Sequence, residues 1–300
     1  MSAAGRGEGS GGLLDALLLP TSGATPGELA GGGGTRRVGG VVRGIGAVLL
    51  WGSLQALFLL VPPLAGVALN LALAGAFVWW FALRPAARAD RRRLATLRLR
   101  PVRAGWGWVA AAALALVAFV LAGLVVLPRV LTVPAERVTF LDAYLRRPFG
   151  VAAVLVMVAL IAPLLEEFLF RGWMQRTLER RTAPWQAIGV TALVFAAVHL
   201  EGYGFPLRLA FGLASGYAAW GSRSIWPSVV LHGAYNGSLV VVGSAVPSLD
   251  QRTLVAWAHT PSRFWPALLT MAAAGVAGAW ALARLRRATR GARRSGAAGR

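Results

Sequence analysis

Apolar runs of about twenty residues, the length that crosses a bilayer as a helix, recur along this chain near residues 44–62, 64–83, 106–128, 149–170, 186–202, 207–221, 225–246 and 264–283. A soluble domain has about a quarter of its residues charged. Here the charged share is 14%, the hydrophobic share 57% and the mean hydropathy +0.61. The pattern implies an all-α, polytopic integral membrane protein of about eight transmembrane helices, each bonding its backbone polar groups internally because the hydrocarbon offers no partners.

A net charge of +20, carried entirely by arginine, raises the question of nucleic acid. The arginines are not gathered on a soluble domain or interleaved with exposed aromatics, so nucleic acid is excluded as a partner. Their distribution follows topology instead. With both termini cytoplasmic, 24 of the 31 basic residues fall in the tails or inner connections, notably 84–103 and 284–300, as the positive-inside rule requires. Trp79, Trp80, Trp106, Trp108, Trp185, Trp226, Trp265 and Trp280 stand near span ends, where amphipathic rings favour the headgroup layer.

Three regions follow. Residues 1–40 are Gly-rich and poor in aromatics and are expected to form a disordered cytoplasmic tail; the apolar stretch Leu13–Leu19 is too short to span and lacks the features of a signal peptide. Residues 41–283 form a single transmembrane domain with its motif core at 149–246. Residues 284–300 hold seven arginines and are expected to lie against anionic headgroups. With no cysteine, disulfides, thiolate metal sites and cysteine nucleophiles are ruled out.

Ionisable groups inside such spans are informative, because a charge at the bilayer centre costs roughly 2.5 to 3.5 kcal/mol on insertion scales. Glu166 and Glu167, followed by Arg171, then Phe195 with His199, then His232 with Asn236, place polar side chains on three neighbouring apolar segments. Glu167 and Arg171 share a helix face at four residues' spacing and are expected to pair. Glu166 is rotated by about 100° from Glu167, free to face a reaction centre. Phe195 and His199 share a face by the same spacing, as do His232 and Asn236. A carboxylate removed from water is a stronger base, suited to activating a water. The histidines and asparagine either orient that water and an oxyanion, or ligate a zinc ion through His199, His232 and Glu166. Spacing alone leaves both open.

Glu-Glu-x-x-x-Arg, Phe-x-x-x-His and His-x-x-x-Asn, in this order on successive apolar spans, resemble the three motifs of the CPBP intramembrane proteases, the family of the CAAX prenyl endopeptidase and the bacterial Abi proteins. The resemblance covers about residues 149–246. It implies a CAAX-endopeptidase-like helical bundle and an endopeptidase, glutamic or metal-dependent, in which Glu166 activates the water, His199 belongs to the second motif, and His232 and Asn236 complete the oxyanion or ligand set. Glu167 and Arg171 would support them. The implied partners are the lipid bilayer and a membrane-associated peptide or protein substrate. The all-arginine, Ala- and Gly-rich composition points to a high-GC genome and so to a bacterial cytoplasmic membrane.

Two other readings stay open. One is a rhomboid-like serine protease with Ser215 as nucleophile and His232 as base, which leaves Glu166, Glu167 and His199 unexplained. The other is a non-enzymatic membrane scaffold, immunity protein or transporter, since intramembrane Glu and His also serve as proton relays. Ending the fourth span at 170 would put Glu166 near its inner end and His199 near the outer end of the next. With no proline between Pro163 and Pro184, this helix is expected to run on through Arg181 and bring the two to similar depth.

Overall fold

The computed structural model describes residues 61–79, 97–131, 145–245 and 260–298. The first candidate span, 44–62, falls almost wholly outside these residues, as does the 1–40 segment. The described residues are helical throughout their regular structure: α1 (Pro63–Val78), α2 (Trp106–Val130), α3 (Gly150–Leu178), α4 (Pro184–Ala197), α5 (Phe205–Ser222), α6 (Trp226–Ala245) and α7 (Pro261–Ala298). Three are long and apolar enough to cross a membrane: α2, α3, and α7 over Pro261–Arg293. Against the eight crossings expected, three such helices stand among the described residues, with α1 and α4 as shorter apolar helices.

Burial is arranged as a lipid solvent demands. Leu114, Leu160, Leu193 and Val276 point outwards, while Asn70, Gln175, Thr191, Ser215, Ser228 and His232 are buried. The chain is a membrane protein, and its polar groups lie where helices meet helices rather than lipid. α7 packs mainly along α2, where Trp108 meets Trp280 edge-on at 4.9 Å. α4 and α5 pack as a close pair. At their contact a Cβ on Gly212 would stand 2.9 Å from the Ala192 side chain and 3.0 Å from its Cα, so only glycine permits the approach.

α3 carries the architecture. It runs unbroken past residue 170 and ends at Leu178, three residues short of the expected Arg181, so the glutamate pair lies near its middle. Two π-helical stretches interrupt its α-helical pattern, Leu155–Ile161 and Phe168–Met174, and they flank Glu166 and Glu167. Such bulges rotate the following side chains relative to a regular helix and recur at functional sites.

The first of these stretches leads into Pro163, which has no N–H to donate. The Ala162 N–H bonds to Met157 O, five residues back; Pro163 therefore leaves the next acceptor, Val158 O, without its helical donor. α6 supplies the replacement. Asn236 Nδ2 donates to Val158 O at 2.8 Å. One turn earlier, a Cβ on Gly233 would lie 2.6 Å from Ala159 O. Proline in α3 and Gly233 with Asn236 in α6 are therefore two sides of one contact.

Candidate active site

Glu167 is the hub of a buried cluster. Its side chain and that of Arg171 have no exposure to solvent, and Arg171 Nε stands 3.2 Å from Oε2. The Ser215 hydroxyl donates to the same oxygen at 2.7 Å. His232 Nδ1 lies 2.8 Å from Oε1. A carboxylate facing a guanidinium and a hydroxyl donor accepts only, so Nδ1 of His232 carries a hydrogen, and in the neutral imidazole Nε2 keeps its lone pair.

That nitrogen faces the other glutamate. Glu166 Oε2 lies 3.8 Å from His232 Nε2, too far for a direct hydrogen bond, and this oxygen has no hydrogen-bond partner among the described residues. The Glu166 side chain keeps 16% exposure, while Oε2 itself is buried. Adjacent residues thus have opposite surroundings. Glu167 is tied to two hydrogen-bond donors and a guanidinium; Glu166 Oε2 is left without a donor.

Arg171 is fully buried among aromatic rings. Its guanidinium stacks 4.7 Å from the Phe195 ring centroid and 5.6 Å from that of Phe211. Nη2 donates to Gly212 O at 3.3 Å. Phe195 and Phe211 also touch His232, at centroid separations of 5.6 and 4.6 Å, and Tyr235 stacks on Phe211 at 5.1 Å. The aromatic residue of the second motif is thus a wall shared by the arginine and the histidine.

The structure brings together Glu166, Glu167, Arg171, Phe195 and His232, and it places His199 and Asn236 differently. His199 packs on the other side of Phe195, centroids 4.9 Å apart, with Nδ1 2.7 Å from Phe195 O. A carbonyl only accepts, so Nδ1 carries the hydrogen here too and Nε2 is an acceptor. Asn236 lies one turn beyond His232 and commits an amide N–H to Val158 O. Among the described residues no three His, Asp or Glu side chains are grouped to hold a metal ion, so His199, His232 and Glu166 do not form a preassembled zinc site. Ser215, the nucleophile of the serine-protease reading, directs its hydrogen at Glu167 rather than at His232.

The polar cluster also extends further than the motifs. Gln175 Nε2 donates to Gly216 O at 3.0 Å and to Glu179 Oε1 at 2.9 Å, and Arg98 pairs with Glu179. Burial pulls the Arg98 guanidinium below its ordinary value, and Glu179 beside it opposes that. Glu167, Arg171, Gln175 and Glu179 are each four residues apart, one polar stripe down α3 that reads the carbonyls of α5 and ends on the loop before α2. Gln175, Glu179 and Arg98 did not stand out as site residues in the sequence, although the four-residue recurrence of polar side chains through an apolar helix is visible there.

Residues 148–238 match the family model described as type II CAAX prenyl endopeptidase Rce1-like. Comparison with curated proteins finds no match, and comparison with solved structures finds none.

Proposed function

We propose, from the match of residues 148–238 to the Rce1-like model of type II CAAX prenyl endopeptidases, that this chain is an intramembrane endopeptidase of the CPBP family hydrolysing peptide bonds of membrane-associated peptides or proteins. The single observation that carries the reading is the pair of acceptor atoms, Glu166 Oε2 and His232 Nε2, 3.8 Å apart. One water molecule can donate a hydrogen to each of them and present its lone pairs to a substrate carbonyl.

Glu166 takes the proton as the water oxygen bonds to the carbonyl carbon, and a tetrahedral oxyanion forms. The proton then passes to the amide nitrogen, the C–N bond breaks, and the carboxylic acid and amine that form exchange a proton and leave as carboxylate and ammonium. Glu167 keeps His232 in the tautomer that accepts from the water, and Arg171 with Ser215 keeps Glu167 ionised and still. His199, with Nε2 as acceptor, serves the water side of the reaction rather than the oxyanion. Asn236 fixes α6 against α3, so that His232 and the glutamates keep their spacing. The arginine distribution supports a multi-pass topology with both termini cytoplasmic, in a bacterial membrane.

The test is cleavage of a quenched library of membrane-inserting peptides by the purified chain, with and without chelator. Cleavage is the expected result. Its loss with chelator would transfer the water to a zinc ion held by His199, His232 and Glu166, and no cleavage of any sequence would favour a scaffold, immunity or transport role.

A further inference from the structure

Away from the glutamates, a cavity of about 570 Å³ is lined in part by Arg100, Arg103, Arg223, Thr289 and Arg293, with no acidic residue in its lining. Its walls are fixed from within. The loop before α2 is tied to the α5–α6 turn by Ile225 N donating to Arg98 O at 3.0 Å, Ser224 Oγ to Arg100 O at 2.7 Å and Trp226 Nε1 to Leu99 O at 3.3 Å. α7 is tied to the end of α5 by Thr289 Oγ1 donating to Gly221 O at 3.2 Å and by Arg293 donating to Ser222 O. The walls therefore do not have to be ordered by a ligand.

Among the described residues no carboxylate lines the cavity. Arg293 lies in the fields of Arg223, Arg100 and Arg290. The nearby carboxylate, Glu179, is already taken by Arg98 and Arg176. Four exposed arginines around one half-open space repel one another, and an anion seated between them would relieve that repulsion. Their planar, forked donors match phosphate oxygens.

Position decides the source of that anion. The cavity opens where α2 begins and where α7 passes from its apolar stretch into arginines, at one end of two helices long enough to cross a membrane. Trp106 and Trp226, at the starts of α2 and α6, mark the same level as the headgroup layer. We propose that this cavity is a binding site for the phosphodiester headgroup of an anionic membrane lipid. Free inorganic phosphate shares the chemistry, and the experiment separates the two.

The purified full chain in uncharged micelles would be titrated with short-chain phosphatidylglycerol, phosphatidylcholine and sodium phosphate, reading the melting temperature and retained lipid by native mass spectrometry. Phosphatidylglycerol is expected to bind saturably and raise the melting temperature. Arg100→Gln with Arg103→Gln should weaken its apparent affinity roughly tenfold or more, with Arg223→Gln as a single-site second variant. Arg180→Gln with Arg287→Gln, which removes two exposed arginines outside the cavity, should leave it nearly unchanged. Equal weakening by both double variants would overturn the site in favour of diffuse attraction. Phosphatidylcholine binding as well as phosphatidylglycerol would overturn it too, and sodium phosphate acting alone at the same concentration would overturn the lipid assignment.

Discussion

Asn236 donates to the carbonyl of Val158 at 2.8 Å, the oxygen that Pro163, five residues further along α3, has no hydrogen to bind. The motif asparagine thus repairs a helix that proline interrupts, and in doing so sets the distance between the helix of the glutamates and the helix of His232. Substituting Asn236→Ala should leave that carbonyl unsatisfied and destabilise the fold by about 1 kcal/mol. Activity should fall more than stability, measured as cleavage at a temperature where both proteins remain folded. Unchanged activity with unchanged stability would remove the bond from the account.

Gly233 makes the sharper steric prediction. A methyl group there meets Ala159 O at 2.6 Å, and backbone cannot move aside as a side chain can. Gly233→Ala should cost roughly 1–3 kcal/mol by overpacking and push α6 outwards, which thermal melting in micelles would record. A melting temperature equal to that of the parent protein would show that α6 does not approach α3 so closely.

Arg171 offers a test of geometry against charge. Removing it in Arg171→Leu leaves Glu167 buried without its cation and should destabilise by roughly 3–5 kcal/mol. Arg171→Lys keeps the charge yet loses the contact with Gly212 O and the flat stacking on Phe195. The lysine variant should therefore fold and cleave slowly, with the loss in kcat rather than in KM. Full activity in Arg171→Lys would reduce the residue to a counter-charge.

Ser215 separates two chemistries. Its hydroxyl is one of two hydrogen-bond donors on Glu167, beside the Arg171 ion pair, so Ser215→Ala should lower activity by no more than about tenfold, the worth of a single hydrogen bond. A serine nucleophile would instead lose roughly a millionfold in kcat, as triad knockouts do.

Much of this architecture can be read from the chain before any coordinates. The runs 106–128 and 225–246 became helices at Trp106–Val130 and Trp226–Ala245, because a twenty-residue apolar stretch has few other ways to satisfy its backbone. The pairing of Glu167 with Arg171 follows from four-residue spacing and is present at 3.2 Å. What spacing cannot carry is register between helices. The π-helical stretches on either side of Glu166 and Glu167 depend on neighbours packing against α3. The partner of Asn236 is a backbone oxygen freed by a proline more than seventy residues earlier, and that of Ser215 is the carboxylate across the α3–α5 contact. In the sequence His199 stands near a span end and His232 seven residues into its span, yet both are offered to one site. Only packing reveals that one imidazole is bonded to Glu167 while the other bonds its own helix at Phe195 O.

The two adjacent glutamates provide the most direct measurement. Glu166→Gln and Glu167→Gln would be purified side by side, checked for retained fold, and assayed on one cleavable membrane peptide. With Glu166 as general base, Glu166→Gln should melt like the parent protein and lose roughly a hundredfold or more in kcat, whereas Glu167→Gln should also lose stability. Parent-level cleavage by a folded Glu166→Gln protein would contradict the account.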